Sequence, residues 1–236
     1  MNIENVTLGK IAVAGLLFDS LTPYNTSLRD FKSNTDSRLD LVIKEHRDAL
    51  MHWLNAWGCR HLSKGQHQVA SESILDWYLS NCATLFSDET PLWQLKDQEI
   101  RTAASVYGSL KDKTGAGHYR SGNKLKVHIG PTAASKILFA IRPKALMPWD
   151  DAMRKHFGCD GSPESYVKYQ KIVRKLAIHI RGLCKKRGLQ IDDLPQRLGR
   201  PDSTVLALIN EYIWVTVTRR VELPSSETLT QWASLG

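Results

Sequence analysis

His128-Ile-Gly-Pro-Thr-Ala-Ala-Ser-Lys-Ile-Leu-Phe-Ala-Ile-Arg-Pro-Lys-Ala-Leu-Met-Pro-Trp-Asp-Asp-Ala-Met-Arg-Lys-His-Phe-Gly158 contains two helix starts with a proline-marked stop between them. A tight turn at Ile129-Gly130-Pro131 opens the first helix. Gly130 leaves the backbone open to close approach, and Thr132 is a capping candidate. Ala134, Ile137, Leu138 and Ile141 form the apolar stripe of that helix. It stops at Arg142-Pro143, because proline disfavours helical geometry in the residue before it. A loop then runs to Pro148, and Trp149-Asp150-Asp151 leads into a helix through Phe157. Either aspartate can be its N-cap.

Unpaired N–H groups at the start of the first helix, together with the helix dipole, form an anion site that a DNA phosphate fits. Lys124, Lys126 and Lys136 add positive charge to it. The plainer alternative is an ordinary connection between two helices. Upstream, Lys124 to His128 reads as a short helical approach carrying Leu125 and Val127. Before it, Lys111 to Asn123 is a polar, glycine-rich loop, too long to be only a connector.

Helical spacing of apolar residues dominates the rest of the chain, and no alternating run is long enough to claim a sheet, so the fold class is all-α. Ile43, Leu50, Trp53, Leu54 and Trp57 lie on one stripe ending at Gly58, a natural left-handed cap. Further helices are expected over 71–85, 95–110, 165–187, 192–198 and 203–220. The β-branched run Val215 to Thr218 leaves a strand open there. The helix over 165–187 carries Lys168, Lys171, Arg174, Lys175, Arg181, Lys185, Lys186 and Arg187 on one face with no acid among them, which favours a phosphate-facing surface. The apolar run Ile11 to Phe18 is too short to span a bilayer and lacks the flanks of a secretory leader, so it is expected to be buried.

With 236 residues and an apolar fraction of 42%, the chain can bury a sizeable core. A formal charge of +8 makes a polyanion the first partner to consider. Cys59, Cys82, Cys159 and Cys184 show no Cys-x-x-Cys pair. That argues against zinc ribbons, iron-sulfur clusters and a disulfide scaffold, and for a reducing cytoplasm. The histidines show no ligand spacing, so neither a metal nor another cofactor is expected. No repeat or linker divides the chain, so 1–236 is expected to be one unit.

The stretch from about Lys96 to Gly158 resembles the helix-hairpin-helix DNA glycosylases, the superfamily of endonuclease III, adenine glycosylase and 8-oxoguanine glycosylase. Gly130 matches the second glycine of that family's Leu-Pro-Gly-Val-Gly hairpin. Pro148-Trp149-Asp150-Asp151-Ala152-Met153 is similar to its Pro-Val-Asp-x-His-Met, which puts the catalytic carboxylate at Asp150. Three departures accompany the resemblance. His128 replaces the first hairpin glycine, Thr132 stands where bifunctional members carry a Schiff-base lysine, and the cluster cysteines are missing.

The resemblance implies a two-lobed helical fold with the active-site cleft between the lobes. The central lobe is expected over 40–158, with the hairpin at 124–141, and the second lobe over 1–39 and 159–236. It implies a monofunctional glycosylase, active as a monomer on double-stranded DNA, that flips and excises a modified or damaged base and leaves an abasic site. The faintness of the likeness outside the stretch from Lys96 to Gly158 points to a divergent branch, whose expected targets include the hypermodified bases of phage genomes, which would make the protein an antiphage defence. Lys124, Lys126, His128, Gly130, Thr132 and Lys136 are the expected DNA contacts. His118, Tyr119, Arg120 and Trp149 are candidates for a base pocket or a wedge into the duplex. Lys136, one turn beyond Thr132, is the candidate to replace the missing lyase lysine. Two alternatives stand beside the enzyme: a non-catalytic helix-hairpin-helix DNA-binding protein, and a helical interaction protein unrelated to nucleic acid.

Overall fold

The computed structural model describes residues 2–36, 38–62, 65, 67–120 and 123–234, with backbone alone for 117–120 and 123–125. It begins with α1 (Leu8–Leu21), α2 (Tyr24–Ser33), α3 (Lys44–Ala56), α4 (His67–Asn81) and α5 (Asp97–Lys111). An antiparallel hairpin follows, β1 (Thr114–Arg120) with β2 (Asn123–His128). Next come α6 (Gly130–Ile141), α7 (Asp151–His156), α8 (Pro163–Lys185), the single turn α9 (Leu194–Arg197) and α10 (Val205–Ile213). Alpha-10 runs directly into a π-helical turn, Trp214–Thr218, before α11 (Ser226–Ala233) closes the described chain. The fold is therefore mainly helical, as the periodicity demands.

Local chemistry sets the helix ends. Thr7, Ser162, Thr204 and Ser225 each accept a backbone N–H of the first turn that follows, satisfying a donor with no intrahelical partner. Gly58 ends α3 at φ +87°. The run Ile11 to Phe18 lies inside α1, with Ile11, Ala14, Gly15 and Phe18 buried and Leu16 turned outward. No described helix is long and apolar enough to cross a membrane.

One continuous apolar cluster fills the interior and runs through both segments of the expected two-lobe division. Alpha-1 packs on α10 and the π turn, α5 on α6 and α8, and α2 on α3. Trp77 is wholly buried, and its indole N–H reaches the Val106 carbonyl at 3.1 Å and Ser109 Oγ at 3.0 Å, so its polar edge carries no desolvation penalty.

Several local expectations are corrected. Lys124 to His128 is strand, not a helical approach, and Thr114 to Arg120 is its partner, not an irregular loop. The physical reason is visible in Lys-Leu-Lys-Val-His, which alternates polar and apolar residues. Its partner is glycine-rich because of close packing: a Cβ on Gly115, at the register irregularity, would lie 2.7 Å from Leu62 Cδ2 and 3.1 Å from the Ile129 nitrogen. The two ends of the hairpin meet where the Ile129 N–H donates to the Lys113 carbonyl at 2.8 Å. The end of α5 thus abuts the start of α6, and the two helices pack directly.

The open strand at Val215 to Thr218 resolves as the π turn. The basic face of α8 is partly internal. Lys171 and Arg174 both bind Asp97 at 2.6 Å, and Arg174 also donates to the Leu95 carbonyl at 2.7 Å. Lys168 donates to the Gly158 carbonyl at 3.0 Å. These three residues tie α8 to its neighbours. Lys175, Arg181, Lys185, Lys186 and Arg187 remain exposed.

Candidate functional site

Beside the Gly130 turn lies a cavity of about 650 Å³. Its residues come from 1–39, from 40–158 and from 159–236, so distant parts of the sequence converge there.

Gly130 sits at φ +77°, a conformation open to glycine at little cost, and Pro131 follows in the first turn of α6. The helix starts at Ile129 with no side-chain cap. Thr132 is therefore not the cap; it lies inside the first turn, and its side chain borders the cavity. His61 Nε2 is 2.8 Å from the Ile129 carbonyl, and His128 Nδ1 is 2.7 Å from the Asp112 carbonyl, which brace the turn from both sides.

Asp150 occupies the N-cap of α7. One carboxylate oxygen accepts the Met153 N–H at 2.7 Å, and the other accepts the Thr218 hydroxyl at 2.7 Å. The side chain is thereby fixed between α7 and the π turn, with the residue partly exposed on the cavity. Asp151 differs: it binds Lys155 at 2.6 Å and Arg154 at 2.9 Å, and its side chain is 60% exposed. The Lys155 ammonium beside it holds its carboxyl below the usual carboxylate range. Of the two aspartates, Asp150 is the one held by fixed donors.

Trp149 is buried and braces the site rather than standing free as a wedge. Its indole N–H donates to the Pro131 carbonyl at 3.1 Å, and its backbone N–H donates to Ser135 Oγ at 3.2 Å. Residue 149 therefore fastens the segment bearing Asp150 to the first turn of α6. Behind it, the buried Tyr169 hydroxyl donates to the Pro148 carbonyl at 3.0 Å. Burial, reinforced by the charge of Asp150, pushes that phenol well above its ordinary range, so it stays a neutral donor.

Lys136 lies in the cavity, not on the outer surface beside the turn. It is only 8% exposed; its ammonium donates to the Trp57 carbonyl and lies 5.7 Å from the Trp57 ring centroid. Burial pushes the neighbouring Cys59 thiol up, while the Lys136 charge pulls the other way. Lys126 is exposed on β2. The side chains of Lys124, His118, Tyr119 and Arg120 lie outside the described residues.

Sequence reading overlooked the aromatic wall. Phe18, Tyr24, Trp57 and Trp214 line the cavity, with ring centroids 5.0 Å apart for Phe18 and Trp214, 5.7 Å for Tyr24 and Trp57, and 5.8 Å for Tyr24 and Trp214. Arg219 lies over Trp214, 5.6 Å from its centroid. The one available signal was Gly58, whose positive φ turns the chain immediately after Trp57. Nothing in the sequence marks Tyr24 or Trp214 apart from core aromatics.

Flat π faces, a fixed carboxylate and an uncapped helix start within one cavity can together hold a planar heterocycle, face a developing positive charge and receive an anion. Among the described residues no group of three His, Cys, Asp or Glu side chains could hold a metal ion. No protein-family model, curated protein or solved structure matches the chain.

Proposed function

We propose that this protein is a DNA N-glycosylase that everts a modified or damaged base from the duplex and hydrolyses its N-glycosidic bond, leaving an abasic site in an unbroken strand. One observation carries the reading: the Asp150 carboxylate, held by Met153 N–H and the Thr218 hydroxyl, borders the same cavity as the Gly130 turn and the aromatic wall.

In this reading the first helix of the hairpin motif is α5, and the β1–β2 hairpin is an insertion between it and the turn. The cavity is the cleft between the lobes 40–158 and 1–39 with 159–236. A phosphate sits at the start of α6, and the base stacks among Tyr24, Trp57 and Trp214, offsetting the few kcal/mol needed to unstack it. Cleavage of the C1′–N bond leaves its electron pair on the base and builds positive charge on the sugar, which Asp150 stabilises. Water adds hydroxide to C1′, and its remaining proton passes by way of Asp150 to the departing base. Thr132 offers no amine for a Schiff base, and the Lys136 ammonium is bound to the Trp57 carbonyl, which supports monofunctional chemistry. The protein acts as a monomer in a reducing cytoplasm, without metal or cofactor, and the hypermodified bases of phage DNA are among its targets.

A second reading, a non-catalytic DNA-binding module, draws support from the capping bond itself, since an aspartate at a helix start needs no further purpose. Base release separates the two. The protein is incubated with duplexes that each carry one modified base and with phage DNAs of unusual base composition. Free base is identified by mass spectrometry, and abasic sites are revealed by alkali. At least one substrate is expected to release its base while its strand stays intact until alkali is added. Salt-dependent binding with no release from any substrate would favour the binding module.

A further inference from the structure

The basic face of α8 takes no part in the cavity, which no residue of that helix lines. Residues 175–187 hold five Lys or Arg and no acid, leaving 27 cations against 24 acids elsewhere, so this one segment supplies +5 of the formal +8. At about 100° per residue, Lys175, Arg181, Lys185 and Lys186 fall within about 140° of the helix surface, opposite the buried Val173, Leu176, Ile180 and Cys184. Lys171 and Arg174 share the basic face, and Asp97 of α5 binds both. No acid does the same for the outer half. Glu4, Asp192 and Asp193 lie on segments packed against α8. Even so, among the described residues Lys175, Arg181, Lys185, Lys186 and Arg187 make no ion pair and no side-chain hydrogen bond. The helix dipole favours cations in the last turn, which accounts for Lys185 and Lys186. Its field fades within that turn and leaves Lys175 and Arg181 unexplained. Arg181 and Lys185, four residues apart, repel each other.

We propose that the outer half of α8 is a second nucleic-acid surface, separate from the cavity, that holds duplex DNA by its phosphates without reading sequence. Lys175 to Lys186 spans about 16 Å, a length over which a duplex presents roughly ten phosphates. Tyr169, whose hydroxyl holds Pro148 beside the site, precedes Lys185 by 16 residues, so the patch reaches about 24 Å along the helix from that anchor. An anionic lipid surface fits less well. A helix lying on a membrane sinks an apolar face beside its charges, whereas Leu176, Ala177, Ile180 and Cys184 are packed in the protein core and only Ile178 is turned outward among the cations. Contacts of this kind release counterions and supply sequence-independent affinity, which keeps a protein on DNA while it slides. The surface goes beyond the glycosylase reading and does not need the cavity to be catalytic.

The test combines Lys175→Gln, Arg181→Gln and Lys185→Gln in one full-length variant. Glutamine suits a helix, and the three charges have no partner to lose, so the variant is expected to melt no lower than wild type. A control variant removes the same charge elsewhere, by Arg29→Gln, Lys44→Gln and Lys144→Gln. Binding to an unmodified duplex is followed by fluorescence anisotropy across a salt series, and binding to vesicles of equimolar phosphatidylcholine and phosphatidylserine by co-sedimentation. The α8 variant is expected to bind the duplex at least about ten-fold more weakly at low salt, with the slope of log K against log salt shallower by about 2 to 3. The control is expected to stay within about three-fold of wild type, because only a local patch is intact in it. Duplex binding unchanged in the α8 variant, an equal loss in the control, or no salt-dependent duplex binding by wild type would overturn the proposal. So would a loss confined to the vesicles. Duplex affinity that depends on α8, in a protein that releases no base from any DNA, would sink the glycosylase reading and leave this surface standing. Base release by a protein whose duplex affinity ignores α8 would do the reverse.

Discussion

Replacing Asp150 with Asn is expected to slow single-turnover base release by at least about 10³-fold, some 4 kcal/mol of barrier, while duplex affinity stays within about three-fold of wild type. The change is close to isosteric and removes only the charge. Asparagine is as good an N-cap as aspartate, so Met153 N–H keeps its acceptor and α7 its start. The Thr218 hydroxyl, which now donates to the carboxylate, can rotate to accept from the new amide. Folding is therefore expected to survive, and the lost activity reports the missing negative charge beside the sugar. Full activity in the variant would reduce Asp150 to a helix cap. Loss of DNA affinity in parallel with activity would place the residue in binding and not in the chemical step.

The second large effect concerns what holds the aromatic wall in place. Glu211, 2% exposed in α10, forms an ion pair with Arg200, which also pairs with Asp19 of α1 and donates to the Gly15 carbonyl at 2.7 Å. Asn25 of α2 donates to Asp19 at 2.7 Å and to Glu211 at 3.0 Å. The cluster locks together α1, α2 and α10, the elements that present Phe18, Tyr24 and Asn210 and lead into Trp214. Burial pushes the Glu211 carboxyl from its ordinary 4.5 up to about 7, with the Arg200 charge opposing.

Between those two values the folded chain holds a proton that the unfolded chain has released. The native state therefore binds more protons than the unfolded one, and stability falls as pH rises through the window from about 4.5 to about 7. At about 1.4 kcal/mol per pH unit, the contribution lost is on the order of 3 kcal/mol. Glu211→Gln cannot lose it. Urea unfolding at pH 5 and pH 8 is expected to show wild-type stability dropping relative to the variant by roughly that amount. Comparing the same pair at two pH values cancels the constant cost of the altered Arg200 contact. Parallel pH profiles for the two proteins would show that Glu211 stays ionised throughout, held by Arg200 more strongly than burial opposes.

Much of the frame was legible because it is local. The stripe ending at Trp57 and Gly58, the stop at Arg142-Pro143 and the Trp149-Asp150-Asp151 helix start are set by neighbours within a few residues, and all three appear where their residues indicate. The β hairpin was not legible. Thr-Gly-Ala-Gly-His-Tyr-Arg has little strand propensity of its own, and it is a strand because Lys-Leu-Lys-Val-His pairs with it and Gly115 must pass close to Leu62 and Ile129. Lys136 reads in sequence as a DNA-contacting charge beside the Gly130 turn, yet it turns inward because the Trp57 carbonyl, 79 residues away, takes its ammonium. Thr218 stands 68 residues from the carboxylate it orients. Tyr24, Trp57 and Trp214 meet only through tertiary packing, which no periodicity encodes.

Capture of the everted nucleotide would show the catalytic geometry itself. Asp150→Asn is crystallised with a duplex that wild-type protein depletes of its base. Base eversion into this cavity predicts that nucleotide turned out of the stack, its base among Tyr24, Trp57 and Trp214 and its C1′ facing residue 150, with a backbone phosphate at the start of α6. A bound duplex whose bases all remain stacked, with residue 150 remote from any sugar, would contradict it.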